Sequence, residues 1–144
     1  IIREGDVLTV DIAASAQTPT GVYVADMSRC VCIRGGPSSR GDQLSLAATR
    51  LVESCISRCK PGVRWSEITI NARQNMNEQG MCIASDYCGH GIGRNLHEPP
   101  KVSFDLLHTE SDFVLKRGMV FTIEPIVVDA LCERGIAVTV YDLE

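Results

Sequence analysis

No stripe of basic residues runs through this 144-residue chain: its 14 Lys and Arg are scattered and outnumbered by 18 Asp and Glu, for a net charge of −4. Neutralising phosphates takes clustered cations, so nucleic acid is not expected as a partner. No apolar run reaches the roughly 20 residues that a membrane-spanning helix needs, and no signal peptide precedes the first strand, so no membrane partner is expected either. An initiator Met is also missing. Ile1 reads as the middle of an ongoing segment, and the natural N-terminus is expected upstream of it. There is no CxxC pair, and the seven cysteines are an odd number where a small secreted disulfide scaffold would carry an even one. Cys30 and Cys32 alternate along an expected strand, and Cys55 and Cys59 sit one turn apart on an expected helix, as small buried apolar residues do. A reducing compartment follows, the cytosol first and the mitochondrial matrix as its alternative. Internal repeats, low-complexity tracts and Pro/Ser-rich linkers are absent. With 44% hydrophobic residues the chain can build one modest core, so residues 1–144 read as a single domain.

What is present reads as strands and helices in succession. Leu8, Val10 and Ile12 alternate with Val7, Thr9 and Asp11, a strand with Asp11 on the face opposite the three aliphatics. Pro19, Thr20 and Gly21 make a turn, and Val22 to Ile33 forms a second strand. After the Gly35-Gly36-Pro37 break, Leu44, Ala48, Leu51, Cys55 and Cys59 lie on one helical stripe that Pro61-Gly62 terminates. Ser66 is expected to cap a second helix, with Trp65 in the staple position before it and Ile68, Ala72 and Met76 inward. That helix runs to Gln79 and is closed by Gly80 as a left-handed residue. Strands dominate from there to the end, interrupted by a polar loop within Lys101 to Arg117 in which His108 is solvated.

The chemistry concentrates in Gly89-His90-Gly91-Ile92-Gly93-Arg94-Asn95-Leu96-His97-Glu98-Pro99-Pro100 and in Phe121-Thr122-Ile123-Glu124-Pro125. Imidazole and carboxylate are ligands for a borderline divalent metal, and His97 is far enough from His90 in sequence for the two rings to take different roles. A metal-assisted hydrolase follows from these residue types. The glycines at 89, 91 and 93 are expected to let backbone approach metal and substrate. Taken singly, each residue has a blander explanation: a lone Asp in a strand is usually an exposed residue, and a His between glycines a turn residue. Cys88 is more often a small wall residue than a nucleophile, since no base is fixed beside it.

Together with Lys60-Pro61-Gly62-Val63-Arg64-Trp65-Ser66-Glu67-Ile68 and Glu4-Gly5-Asp6-Val7-Leu8-Thr9-Val10-Asp11, the runs Tyr87 to Pro100 and Leu115 to Pro125 closely resemble the type I methionine aminopeptidases. The resemblance begins at Ile2 and fades after Pro125. It implies an α+β pita-bread fold, an antiparallel-rich curved sheet covered by helices, present here as an incomplete copy. It also implies two divalent metal ions (Co, Mn, Fe or Zn) held by two Asp, one His and two Glu. By this resemblance Asp11 and Asp26 are the ligand aspartates, His90 the ligand histidine, and Glu124 a ligand glutamate that polarises the attacking water. His97 contacts the substrate peptide, and Tyr87 and Cys88 line the pocket for its first side chain. The family's closing Glu motif is missing after Glu124, and Glu144 stands in for it. A further substrate His of the family would precede Ile1. The interval between Asp11 and Asp26 is longer than the family's, with Ser15 to Thr20 as an insertion able to displace one carboxylate.

The activity implied is removal of the N-terminal methionine from peptides and nascent proteins, by a monomer. Two alternatives stand beside it. One is an Xaa-Pro aminopeptidase or prolidase, against which Gly-Ile-Gly-Arg and His-Glu-Pro-Pro argue; the other is a non-catalytic pita-bread module that binds partners.

Overall fold

In a computed structural model the chain is described over residues 1–34, 39–105 and 112–130. The expected break at Gly35-Gly36-Pro37, the loop around His108 and the final strand through Glu144 lie outside those residues. Among the described residues no helix is long and apolar enough to cross a membrane.

The first two strands, β1 (Val7–Thr18) and β2 (Gly21–Cys32), form one long antiparallel hairpin. Its register is continuous from Val7 opposite Cys32 to Thr18 opposite Gly21. The added length of Ser15 to Thr20 is therefore absorbed as regular ladder, with no bulge. Thr18 secures the tip: its hydroxyl donates to the Gly21 carbonyl at 2.8 Å and accepts the Thr20 N–H at 3.2 Å. Gly21 begins β2 at a φ of +128°, which a residue with a Cβ rarely adopts.

Helix α1 (Arg40–Arg58) is capped by Ser39, whose Oγ accepts the Asp42 N–H at 3.1 Å. It buries Ala47, Leu51 and Cys55, with Leu44 and Cys59 partly buried beside them. Ala47 takes the inward place expected of Ala48. Burial pushes the Cys55 thiol up to about 11, aided by Cys59 and opposed by Arg58.

Helix α2 (Trp65–Glu78) starts two residues earlier than its sequence suggests, with Arg64 rather than Ser66 as N-cap. Glu67 Oε1 accepts the Arg64 N–H at 3.3 Å, and the rest of the cap is supplied from a distance. Asp112 accepts the Ser66 N–H at 2.9 Å and the Ser66 hydroxyl at 3.0 Å, so a carboxylate 46 positions away does what a local Ser was expected to do. Trp65, moved into the first turn, packs as expected at the helix start and lies in the core: it is 2% exposed, and its indole N–H donates to the Ser103 carbonyl at 2.6 Å. The C-terminus follows expectation, with Gly80 at a φ of +67°.

Four short strands follow: β3 (Met81–Ile83), β4 (Cys88–Gly91), β5 (Glu98–Ser103) and β6 (Val127–Asp129). β3 pairs with β6 and β4 with β5, both antiparallel. The core lies between the inner faces of the two helices and β3, with Val102, Phe104 and Leu115. Arg40 at the start of α1 pairs with Asp129 of β6 at 2.7 Å, tying the first helix to the last described strand.

Partial burial pushes the Asp112 carboxyl up, but hydrogen bonds from Ser66 and Arg64 and the Arg64 charge outweigh it and hold the group below the usual Asp range. A depressed folded-state pKa stabilises above the unfolded value of about 3.9 and is lost as pH falls through the folded one. Asp112→Ala should lower unfolding free energy by about 0.5–2 kcal/mol at neutral pH. Urea denaturation followed by far-UV circular dichroism should show that difference shrinking below about pH 4.

Candidate metal centre

β4 carries His90 between two neighbours. On one side it pairs with β5, Gly89 opposite Val102 and His90 opposite Lys101, with a shift in register between His90 and Gly91. On the other side the Thr122 N–H donates to the His90 carbonyl at 2.8 Å, and Gly91 bridges to Phe121. The glycines make this close packing feasible, since a Cβ on Gly89 would collide with the Thr122 carbonyl and one on Gly91 with the Pro99 carbonyl. They admit neighbouring backbone, where the sequence suggested that they admit metal and substrate.

The His90 ring is oriented by its own strand. Nδ1 lies 3.0 Å from the Gly91 carbonyl, so the tautomer that donates there leaves the Nε2 lone pair exposed. Nε2 is 3.5 Å from Asp26 Oδ2 and 3.4 Å from Glu124 Oε1. One ligand atom from each of Asp26, His90 and Glu124 lies within 4.8 Å of the others. The His90 and Asp26 side chains are only 12% and 14% exposed. Two carboxylates and an imidazole converging in this way form a donor set that fits a divalent cation.

Thr122 holds this arrangement together. Its hydroxyl accepts the His90 N–H at 2.9 Å and donates to Glu124 Oε1, so one side chain fixes the backbone of one candidate ligand and the carboxylate of another. The sequence reading passed over it. Its signal was there: Thr122 stands two positions before Glu124 in an extended segment, where alternate residues share a face.

Asp11 is opposite Ser28, and Asp26 is opposite Ala13. The two aspartates therefore share a hairpin face as diagonal neighbours, and the longer interval between them has displaced neither from it. Asp11 is exposed and stands outside the close group of three. Tyr87 and Cys88 are half-buried at the entry to β4. Glu144 lies outside the described residues.

His97 is exposed, with its ring 4.4 Å from that of His90 at 72°. The turn that carries it is closed from within by Glu98, whose Oε1 accepts the N–H groups of Arg94 at 2.9 Å and Asn95 at 2.8 Å. The Asn95 N–H does most to hold the Glu98 carboxyl below the usual range; partial desolvation opposes it, and Arg94 and the Asn95 side chain add to it. Gly93 accepts the Val24 N–H at 2.8 Å, which joins this turn to the outer edge of β2.

The sequence profile described as Metallopeptidase family M24 matches residues 1–142, further than the motif resemblance alone reaches. The methionine aminopeptidase of Buchnera aphidicola subsp. Baizongia pistaciae is 29% identical over 133 residues, 92% of this chain and 48% of that protein. That of Escherichia coli K12 is 32% identical over 130 residues, 88% of this chain and 46% of the relative. The chain thus spans about half the length of the curated relatives it matches. Among solved structures, the methionine aminopeptidase of Rickettsia prowazekii superposes with a TM-score of 0.71 at 24% identity, over 86% of this chain and 48% of that one, a likeness of fold.

Removing the Thr122 hydroxyl while keeping its shape should loosen both ligands it touches. Thr122→Val is expected to weaken Mn²⁺ binding by roughly 10–100-fold in isothermal titration calorimetry, with secondary structure intact. Wild-type affinity in that variant would show that Glu124 and His90 are placed without it.

Proposed function

The chain belongs to metallopeptidase family M24 and has that family's pita-bread fold, and on this premise we propose that it serves as a metallo-aminopeptidase releasing the N-terminal methionine of peptides and nascent proteins. The observation that carries the reading is the convergence of Asp26, His90 and Glu124, with the His97 ring edge-on to that of His90. In this reading Asp11, Asp26, His90 and Glu124 hold two divalent ions, with Glu144 as the fifth ligand. When bound, the ions supply Lewis acidity at the scissile carbonyl and make a water nucleophilic near neutral pH.

The remaining work belongs to side chains. Glu124 Oε1 is engaged by Thr122, so Oε2 is the atom left to take a proton from the attacking water and return it to the departing amine. The His97 imidazole donates a hydrogen bond to the oxygen on which charge develops. Tyr87 and Cys88 wall the pocket for the first side chain. We place the chain in the cytosol on the cysteine pattern of its sequence, an odd number of cysteines with no CxxC pair.

The test is to titrate Mn²⁺ into the 144-residue chain while following methionine release from a Met-Ala-Ser peptide, with an Ala-Pro dipeptide in parallel. Methionine release that tracks metal loading is expected. Hydrolysis of the proline substrate alone would assign the Xaa-Pro reading, and metal binding without turnover of either would favour a binding module. In an active chain His97→Ala should keep metal stoichiometry and lose roughly 10–1000-fold in kcat/KM. Loss of metal in that variant would mean that His97 and His90 have exchanged roles.

A further inference from the structure

Arg94 stands in the turn that carries His97, yet its side chain reaches away from the metal ligands to the far end of the β1–β2 hairpin. Its Nη2 donates to the Thr20 carbonyl at 3.0 Å, and its guanidinium carbon lies 5.4 Å from the centre of the Tyr23 ring. Gly21 makes the room: a Cβ there would strike the guanidinium. Beside this grip the Val24 N–H donates to Gly93, so side chain and backbone both join the turn to the hairpin. Thr18 orders the tip and thereby aims the Thr20 carbonyl. On the other side of Arg94, its own N–H and that of Asn95 are held by Glu98, which follows His97. The grip on the tip is thus transmitted to the imidazole through a closed turn of five residues, Arg94 to Glu98.

The partners of Arg94 lie within or next to the added length that the sequence shows between Asp11 and Asp26. All of it lies on the tip side of both aspartates, which are diagonal neighbours on one face of the hairpin. It supplies the surface that Arg94 grips.

We infer that Arg94 is a positioning residue: by gripping the hairpin tip at Thr20 and Tyr23 it fixes the turn that sets the His97 imidazole against the metal ligands. The inference rests on the role given above to His97, and its effect on turnover is through that residue. A fork-shaped cation suits the task, because it can donate to a carbonyl while lying over an aromatic face.

Three variants of the 144-residue chain test this: Arg94→Ala, Arg94→Lys, and Thr18→Val, which loosens the tip without touching the turn. Hydrogen exchange of the Val24 amide and the His97 ring-proton NMR signals, read at one pH in the Zn²⁺-loaded chain, report the latch without reference to turnover. In Arg94→Ala the Val24 amide should exchange at least about tenfold faster, and the His97 signals should move toward those of an unconstrained ring. Mn²⁺ affinity should stay within about twofold, while kcat on Met-Ala-Ser falls roughly 10–100-fold with KM little changed. Thr18→Val should move the same signals in the same direction, and Arg94→Lys should restore part of the loss. Unchanged Val24 exchange and His97 signals in both Arg94→Ala and Thr18→Val would overturn the inference, as would a lost latch with kcat unmoved. If the unaltered chain turns over no peptide, the proposed activity falls, and Val24 and His97 still decide the latch.

Discussion

The described structure hangs on one indole. Trp65, the only tryptophan, meets all three phenylalanines: Phe104 edge-on at 5.5 Å, Phe113 stacked at 6.0 Å and Phe121 edge-on at 6.0 Å. Each such pair contributes about 0.5–1.5 kcal/mol beyond the area it buries. More important is where the rings come from. Trp65 opens α2, Phe104 follows β5, Phe113 precedes Leu115, and Phe121 sits one residue before Thr122. The indole N–H adds a polar anchor on Ser103, in the strand that pairs with β4. Both chain segments flanking His90 are thereby held to the start of the same helix, and candidate ligands that are distant in sequence arrive at a common spot.

Precision at that spot comes from short polar contacts layered on the apolar anchor. Phe121 brings Thr122 into range, and Thr122 then links the His90 backbone to the Glu124 carboxylate. The Gly91 carbonyl selects the His90 tautomer. Apolar packing alone specifies position to about the size of a methyl group and cannot choose which ring nitrogen carries a proton; a directional hydrogen bond can. The same division of labour appears at the start of α2, where packing places Trp65 and the Asp112 carboxylate satisfies the first turn.

Much of this was legible in the sequence, and the boundary is physical. The hairpin, both helices and the left-handed Gly80 could be read because period-2 and period-3.6 patterns and turn residues act over a few positions. The ligand-type residues could be read because imidazole and carboxylate set among glycines carry their chemistry with them. What escaped reading acts across long separations. Asp112 replaces Ser66 as the cap of α2 from 46 positions away. With that contact the helix starts at Trp65, whose staple position becomes the first turn and lies in the core. Gly89 and Gly91 were correctly marked as places of close approach, but which backbone approached them depended on pairings that no local pattern encodes. Thr122 was overlooked because a hydroxyl between two apolar residues looks like an ordinary strand residue until its two partners are known.

The β1–β2 hairpin behaves as a ruler with unequal tolerances at its two ends. Near its base the pairing sum is fixed, so residues added symmetrically nearer the tip leave Asp11 and Asp26 diagonal to each other on one face. At the tip the same additions are quantised. One residue more on each strand beyond Asp26 advances the turn by about 3.3 Å and rotates Tyr23 to the opposite face; two restore the face and carry the tip about 6.6 Å outward, past the span of a fixed guanidinium. Length change in this hairpin is therefore silent for the carboxylates and discontinuous for the turn it meets, which makes tip length a discrete variable that selection can adjust without disturbing metal binding.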